Sequence, residues 1–405
     1  MHILYANNYY YLRGGSERVL VDEMALLREH GHEVSIFSQL HSETFGCEDK
    51  KYFAPWLDLN SAGTFQKIKA VPSIFHNRTA HKQTVRMICE KKIELLHAHN
   101  IYGGLTTSIF DAAKKGGIPS VLTLHDLRLV CPAYLMLREG QVCEKCIHGA
   151  FYHCIRHRCV KDGNLLGSVL YALESYYTKW WKKYSIPKML ITPSEFLRTK
   201  VIAGGYSPEK VVHIPNMVPV ENYSPNPEPG DYALFVGRLS HEKGLYVLLN
   251  AFRSLAIPLR IAGTGPEMDA ARKFVEDHDM RHVRFEGYCS GETLENLYRQ
   301  SAFLVIPSTC YENCPMSVIE AMAYAKPVVG ACIGGIPELV TDHVTGRLVP
   351  PGDYLALGET VNELWNGDRT RLRGMGNEAR KKACESYSPQ VHYDQLYDVY
   401  RKAVS

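Results

Sequence analysis

Several features are missing from this sequence, and each absence narrows what the chain can be. No run of 18 or more apolar residues occurs, so no membrane-spanning helix is expected. The start, Met1-His2-Ile3-Leu4-Tyr5-Ala6, has no basic stretch followed by an apolar one and reads as a strand, not a signal peptide. Charge of one sign is scarce. A net charge of +3 over 405 residues is too small by itself to imply a nucleic-acid partner. There is no low-complexity tract, no short internal repeat, and no Asp-x-Asp pair at a strand end to suggest a divalent cation.

What is present is an ordinary globular balance, 45% hydrophobic and 22% charged, in a chain too long for one core. Two domains of about 200 residues each are expected. Residues 1–190 carry 24 Lys and Arg against 17 Asp and Glu, and the remainder 22 against 26. A basic first half suggests an anionic partner there, such as a phospholipid surface or a lipid phosphate. The chain is expected in the cytoplasm, where its twelve cysteines favour metal binding or free thiols over disulfides.

Short apolar runs alternate with amphipathic segments. His2–Ala6, Glu33–Phe37, Leu95–His97, Ser120–Leu124 and Met189–Thr192 read as buried parallel strands. In the segment Ser16–His30, Val19, Leu20, Met24 and Leu27 share one helical face, and Gly31 can end the helix. A proline-rich stretch, Val218–Asp231, reads as a linker. The alternation then restarts with Tyr232–Val236, Leu259–Ala262, Val283–Glu286, Phe303–Ile306 and Pro327–Val329. The fold class is therefore α/β, with two doubly wound Rossmann-like domains at 1–217 and 218–388. Cys131–Lys161, dense in Cys, His and Arg, breaks the pattern and reads as an insertion, after which residues 165–186 return to a helix.

The chemistry is concentrated at strand ends. Gly14-Gly15-Ser16 after the first strand permits close backbone approach, and the helix that follows offers free N–H groups to an anion; a plain turn reads equally well. Gly237-Arg238 and Lys243, beyond the strand ending at Val236, could converge on a diphosphate or be surface cations. Gly263-Thr264-Gly265-Pro266 is a second glycine loop at a strand end. The strongest signal is Pro307–Ala323, in which Glu312 lies in a loop and Glu320 near a helix start. A carboxylate can accept two hydrogen bonds from a vicinal diol, so the pair could hold two sugars of one ligand. Glu320 could also be a solvated helix-start acid. His125-Asp126 could be a capping pair, and His97-x-His99 more often packs or caps than binds metal.

Gly14-Gly15, His125, Pro193-Ser194, Pro215-Asn216, Gly237-Arg238 with Lys243, Gly263–Pro266, the Glu312/Glu320 pair and Gly334-Gly335-Ile336-Pro337-Glu338 occur in an order and spacing that resembles family-four retaining glycosyltransferases of the GT-B fold. The resemblance implies two domains facing a central cleft, with the last helix, 389–405, packed back on the first domain. It implies a nucleotide-sugar donor, UDP- or GDP-linked, and a glycan or lipid-linked acceptor, in cell-surface polysaccharide synthesis at the inner face of a membrane. Gly14 and Gly15 would lie near the donor phosphates, with Gly237, Gly263 and Gly265 lining the nucleotide pocket. Arg238 and Lys243 would bind the diphosphate and stabilise it as it leaves, so no catalytic metal is expected. Glu320 would hold the ribose, and Glu312 with Asn313, Cys314, Pro315, Met316 and Ser317 the donor sugar. His125 would sit beside the sugar near the reaction centre. Asn313-Cys314 departs from the small residues common there. A sugar epimerase or phosphorylase on the same fold, or a non-enzymatic nucleotide-sugar-binding protein, are the alternatives.

Two further expectations concern the first half. Cys143-x-x-Cys146 and Cys154-x4-Cys159 have the spacing of a four-thiolate structural zinc site, with His148, His153 and His157 as possible substitutes, Cys131 as a spare, and reduced thiols or, in an oxidising compartment, disulfides as the alternatives. Trp180-Trp181-Lys182-Lys183, with Lys67, Lys69, Arg78 and Lys82, suits a bilayer headgroup layer, or else a core aromatic face with a solvated basic one.

Overall fold

A computed structural model describes residues 1–56, 71–160 and 163–405. Among these the chain forms two compact units, the first comprising Met1–Leu135, Glu144–Ile214 and Tyr393–Ser405 and the second Met136–Cys143 and Pro215–His392.

Each unit is built on a six-stranded parallel sheet. The first runs Val211–His213, Met189–Thr192, Ser120–Thr123, Leu95–Ala98, His2–Ala6, Glu33–Phe37. The second runs Val283–Gly287, Leu259–Ala262, Ala233–Val236, Phe303–Ile306, Val328–Ala331, Gly346–Val349. Central strands such as Ile3–Ala6 and Phe303–Ile306 are buried along their length, because helices cover both faces of a parallel sheet. In the second unit alternate residues serve different cores. Leu234, Leu304, Ile306 and Val328 pack with Val318 and Met322, whereas Phe235, Phe303, Val305 and Val329 pack with Leu248 and Phe252.

Both sheets reverse their direction of growth beside the first strand of the unit. The reversal lies between His2–Ala6 and Leu95–Ala98 in one, and between Ala233–Val236 and Phe303–Ile306 in the other. Open parallel sheets bind ligands beyond the carboxyl ends of the strands at such a point.

The edge strands Val211–His213 and Gly346–Val349 add to those read from sequence. The helix expected over 165–186 runs from Leu165 to Trp180, because Lys182 turns left-handed (φ 49°) and a 3-10 turn, Lys183–Ser185, follows. The insertion contains a hairpin, Leu137–Arg138 with Gln141–Val142, and a short helix, Tyr152–Arg156. Residues Met136–Cys143 of this hairpin belong to the second unit and the rest of the insertion to the first. In the C-terminal helix Pro389–Val404, Tyr400 is fully buried and hydrogen-bonded to Tyr5 of the first sheet, and Tyr393 stacks on His30 at 3.6 Å. No helix among the described residues is long and apolar enough to cross a membrane.

Candidate active site

In the second unit, the loops leaving the two strands at the reversal point carry the cations and the first carboxylate of the sequence motif. Lys243 ends the turn His241–Lys243, and its Nζ lies 2.7 and 2.9 Å from the two oxygens of Glu312. Ser308 donates to Glu312 Oε1 at 2.6 Å, so the carboxylate is held from two sides. Burial would lower the Lys243 pKa, but the adjacent Glu312 charge and hydrogen bond outweigh it and leave it raised. This lysine is therefore a fixed cation at neutral pH. Arg238 is exposed on the preceding loop and makes no ion pair among the described residues.

Glycines allow these loops to pack backbone on backbone. A Cβ on Gly263 would stand 1.9 Å from the Gly237 carbonyl oxygen, and one on Gly265 2.1 Å from that of Leu239. The Gly237 N–H meets the Ala262 carbonyl at 3.0 Å and the Leu239 N–H that of Thr264 at 3.0 Å. Gly334 does the same for Glu312. Its φ is +61°, a Cβ there would lie 2.3 Å from the Glu312 carbonyl oxygen, and the next N–H, of Gly335, donates to that oxygen at 2.7 Å.

Glu320 lies on the helix Met316–Ala323, where Oε2 accepts from the buried Tyr298 hydroxyl at 2.9 Å. Burial, then the Glu320 charge and hydrogen bond, holds the Tyr298 phenol well above its usual range, so it remains a donor. No side chain caps this helix at Pro315, so Met316 and Ser317 open it with backbone N–H groups forward. Asn313 is half-buried. Cys314 is buried, its carbonyl accepts from Asn216 Nδ2 at 3.0 Å, and burial pushes its thiol up to about 12. A thiol so held is inert, and this position contributes shape and backbone instead.

In the first unit Gly14 precedes the helix Gly15–Glu29 with extended backbone and no capping side chain. His125 follows the strand Ser120–Thr123 and is half-buried. Its Nε2 lies 2.8 Å from His99 Nδ1, and the two rings stack at 5.1 Å. Burial, then His99, pushes the His125 pKa down to about 3, so the ring is neutral. The next residues anchor the loop. Asp126 Oδ1 accepts from the Arg128 N–H at 2.9 Å, and Arg128 makes a buried ion pair of 3.0 Å with Glu174 and covers the Tyr171 ring at 4.1 Å.

Within its unit, the structure thus brings Lys243 and Glu312 together, sets Glu320 against Tyr298, and joins His125 to His99. Tyr298 carried no signal in the sequence, and Ser308 lay within the motif Pro307–Ala323 without being singled out. Glu23 did carry a signal: it is an acid inside the apolar stripe Val19, Leu20, Met24, Leu27, and it is buried. Among the thiols, Cys154 is hydrogen-bonded with Cys159. Its pKa is raised by that bond, then by burial, then by the nearby Cys159, Cys131 and Cys146. Cys143 ends the hairpin segment of the second unit. Lys67 and Lys69 lie outside the described residues.

The sequence matches two family models, Glycosyltransferase Family 4 over residues 13–222 and Glycosyl transferases group 1 over residues 221–382. The O-antigen chain mannosyltransferase C of Escherichia coli is 30% identical over 172 residues, 42% of this chain and 46% of that protein. A putative colanic acid biosynthesis glycosyltransferase of Salmonella typhimurium is 31% identical over 172 residues, 40% of this chain and 42% of that one. The chain spans about half the length of the curated relatives it matches. Among solved structures, a glycosyltransferase from Rickettsia africae superposes with a TM-score of 0.70 at 17% identity, covering 100% of this chain and 99% of that one. Anabaena HepE in complex with UDP superposes with a TM-score of 0.68 at 19% identity, covering 99% and 100%. At these identities the superpositions show a shared GT-B fold.

Proposed function

The chain belongs to glycosyltransferase family 4, and from that premise we propose that it transfers a sugar, with retention, from a UDP- or GDP-sugar to a glycan or lipid-linked acceptor in surface-polysaccharide synthesis. The observation that carries this reading is the Lys243–Glu312 pair at the sheet reversal, with the exposed Arg238 on the loop that leads to Lys243. The bond to be broken joins an anomeric carbon to a diphosphate. As it breaks, negative charge grows on the phosphate and positive character on the sugar. Arg238 and Lys243 stabilise the first and Glu312 the second, and the Lys243–Glu312 pair is already held in place. Two side-chain cations supply the charge that a divalent ion would otherwise supply. Glu320, oriented by Tyr298, accepts from the ribose hydroxyls. Gly14, Gly15 and His125 take their roles from the family resemblance.

The test is a donor panel by thermal shift, followed by turnover of the best binder with and without acceptor. A ligand at 100 times its dissociation constant stabilises by about 2.7 kcal/mol. Donor isomerisation or phosphorolysis without transfer would replace this reading with one of the rival enzymes, and binding without turnover across an acceptor panel would point to a binding protein.

Two properties of the first unit extend the reading. The cysteines of the insertion are proposed, from their spacing, to hold a structural zinc through Cys146, Cys154 and Cys159, with Cys143 or its spare Cys131 as the fourth ligand. Zinc near one per chain that falls in Cys143→Ser assigns the fourth place to Cys143, and zinc that survives it but falls in Cys131→Ser assigns it to Cys131; absence of metal with freely titrating thiols overturns the site.

The helix Leu165–Trp180 buries Ser168, Ala172, Glu174, Ser175 and Thr178 and exposes Leu165, Leu166, Leu173 and Trp180, with Trp181 next. This inverted burial, with Lys179 and Lys182 exposed beside the tryptophans, suits an anionic bilayer. Flotation with anionic vesicles, lost in Trp180→Ser/Trp181→Ser, is the expected result, and no flotation of the parent chain at low salt overturns it.

A further inference from the structure

Behind His125 runs a buried row of polar side chains, all within the first unit. His99, bonded to His125 through Nδ1, turns its Nε2 to Glu23 Oε2 at 3.4 Å. The same oxygen accepts from Tyr5 at 3.0 Å, and Tyr5 meets the Tyr400 hydroxyl at 2.9 Å. Tyr400 lies 2.6 Å from His97 Nδ1, whose Nε2 lies 2.8 Å from Thr123 Oγ1. Glu23 is 2% exposed and His99 1%. An acid at that depth needs a reason.

A metal is one candidate reason, since donor atoms of Glu23, His97 and His99 lie within 4.8 Å of one another. Yet both ring nitrogens of His97 already face hydroxyls, so although His99 Nε2 has no hydrogen-bond partner among the described residues, an ion held by all three would have to break a bond of His97. Proton order offers a better account. Burial holds the Tyr5 and Tyr400 phenols well above their usual range, so each keeps its proton and donates once. Tyr5 donates to Glu23, so Tyr400 donates to Tyr5, and His97 must give its Nδ1 proton to Tyr400 and accept from Thr123. On the other arm His99 Nε2 faces the same carboxylate oxygen at 3.4 Å as a charge contact without a hydrogen bond, and an ionised Glu23 favours a proton on that nitrogen. Its Nδ1 is then bare and accepts the Nε2 proton of His125. Both arms of the row lead to one carboxylate, by a hydrogen bond on the Tyr5 side and by a charge contact on the His99 side.

We propose that Glu23 is a positioning residue that acts through His99 to fix His125 as its Nε2–H tautomer, leaving Nδ1 of His125 as an acceptor for a substrate hydroxyl. The link stands on the geometry above, while its catalytic consequence rests on the reading of His125 as a residue of the sugar-transfer site. The tautomer matters because a ring that presents the wrong nitrogen offers a donor where an acceptor is needed.

The test is Glu23→Gln in the full chain. A carboxamide has the same shape but can donate as well as accept, so the proton order is no longer dictated. Histidine ¹⁵N NMR should show one Nε2–H form for His125 in the parent chain and a mixture in Glu23→Gln. The kcat should fall roughly 10- to 100-fold while donor KM is unchanged, and Glu23→Gln should add nothing in a His125→Ala background. Should Glu23→Gln not fold, His99→Asn cuts the same link and is read the same way. A folded variant with the parent tautomer and the parent kcat overturns the proposal. Full turnover by His125→Ala overturns the catalytic reading of His125 instead, and the tautomer measurement still decides the Glu23 link.

Discussion

Lys243 holds Glu312 by both carboxylate oxygens, at 2.7 and 2.9 Å, with Ser308 completing the clamp on one of them. The sequence suggested separate duties for these two residues, the cation on the phosphates and the acid on the sugar. The structure makes them one unit, and their substitutions should not be additive. Lys243→Met should weaken binding of a nucleoside diphosphate. Glu312→Gln should lower kcat yet bind the diphosphate no more weakly than the parent chain, because it leaves Lys243 less neutralised. In a double-mutant cycle on kcat/KM the two should couple by about 0.5–3 kcal/mol. Additive losses would mean that the pair is not functional.

Glu320 meets a part of the donor that does not change during the reaction, so its loss is expected in KM. Hydrogen bonds to a charged group are worth about 1.5–3 kcal/mol, so Glu320→Gln should raise donor KM roughly 10- to 150-fold with kcat little changed. Tyr298→Phe, which removes only the hydroxyl that orients Glu320, should show the same pattern more weakly. A kcat effect without a KM effect in steady-state kinetics would reassign Glu320 to the chemical step.

Gly14 allows phosphate binding to be separated from folding. Its backbone is extended, and a Cβ there would meet only Glu17 Oε2, at 3.8 Å. Serine is also a better cap than glycine at a helix start. Gly14→Ser should therefore leave thermal stability equal or higher while crowding a ligand that approaches the backbone, and donor KM should rise. Unchanged KM with unchanged stability would remove Gly14 from the donor site.

The pH behaviour follows from two neighbours. His125 is pushed down from 6.5 to about 3 by burial and by His99, so it should give no limb near 6.5 in the pH profile of kcat/KM. Its contribution to stability is present above about 6.5 and lost as pH falls toward 3, because the unfolded chain takes up the proton first. Asp126 has the opposite sign. Burial raises it from 3.8 to about 6, the folded chain holds the proton longer, and stability is lost as pH rises through that window. Urea denaturation of His125→Asn and Asp126→Asn across the range of about pH 4–7 should flatten opposite slopes. Parallel curves for both variants and the parent chain would contradict the assignment.

The two parallel sheets were legible because central strands such as Phe303–Ile306 are apolar throughout, which is how a strand covered on both faces must read. The edge strand Val211–His213 was not legible, since three residues ending in a histidine give no period. Arg238, Lys243, Glu312 and Glu320 could be named because they sit at strand and helix ends within recognisable motifs. The Lys243–Glu312 clamp could not, because pairing across 69 positions is set by how adjacent strands align their loops. Glu23 was not singled out, although an acid within the apolar helical face of Val19, Leu20, Met24 and Leu27 could have marked it; its reason lies on other strands. The helix Leu165–Trp180 shows the limit of periodicity. Its apolar residues were visible, whereas the side that faces the core is lined by Ser168, Ser175 and Thr178.

The most direct test of sugar transfer at the Lys243–Glu312 centre is transfer of labelled sugar from the best-binding sugar nucleotide to acceptor, compared between the parent chain and Lys243→Met/Glu312→Gln. The parent chain should form a glycosylated product and release the nucleoside diphosphate in equal amount. The double variant should remain folded and lose at least about 100-fold in kcat/KM, the scale of removing one transition-state charge contact. Wild-type kcat/KM in the double variant would place the chemistry elsewhere in the chain.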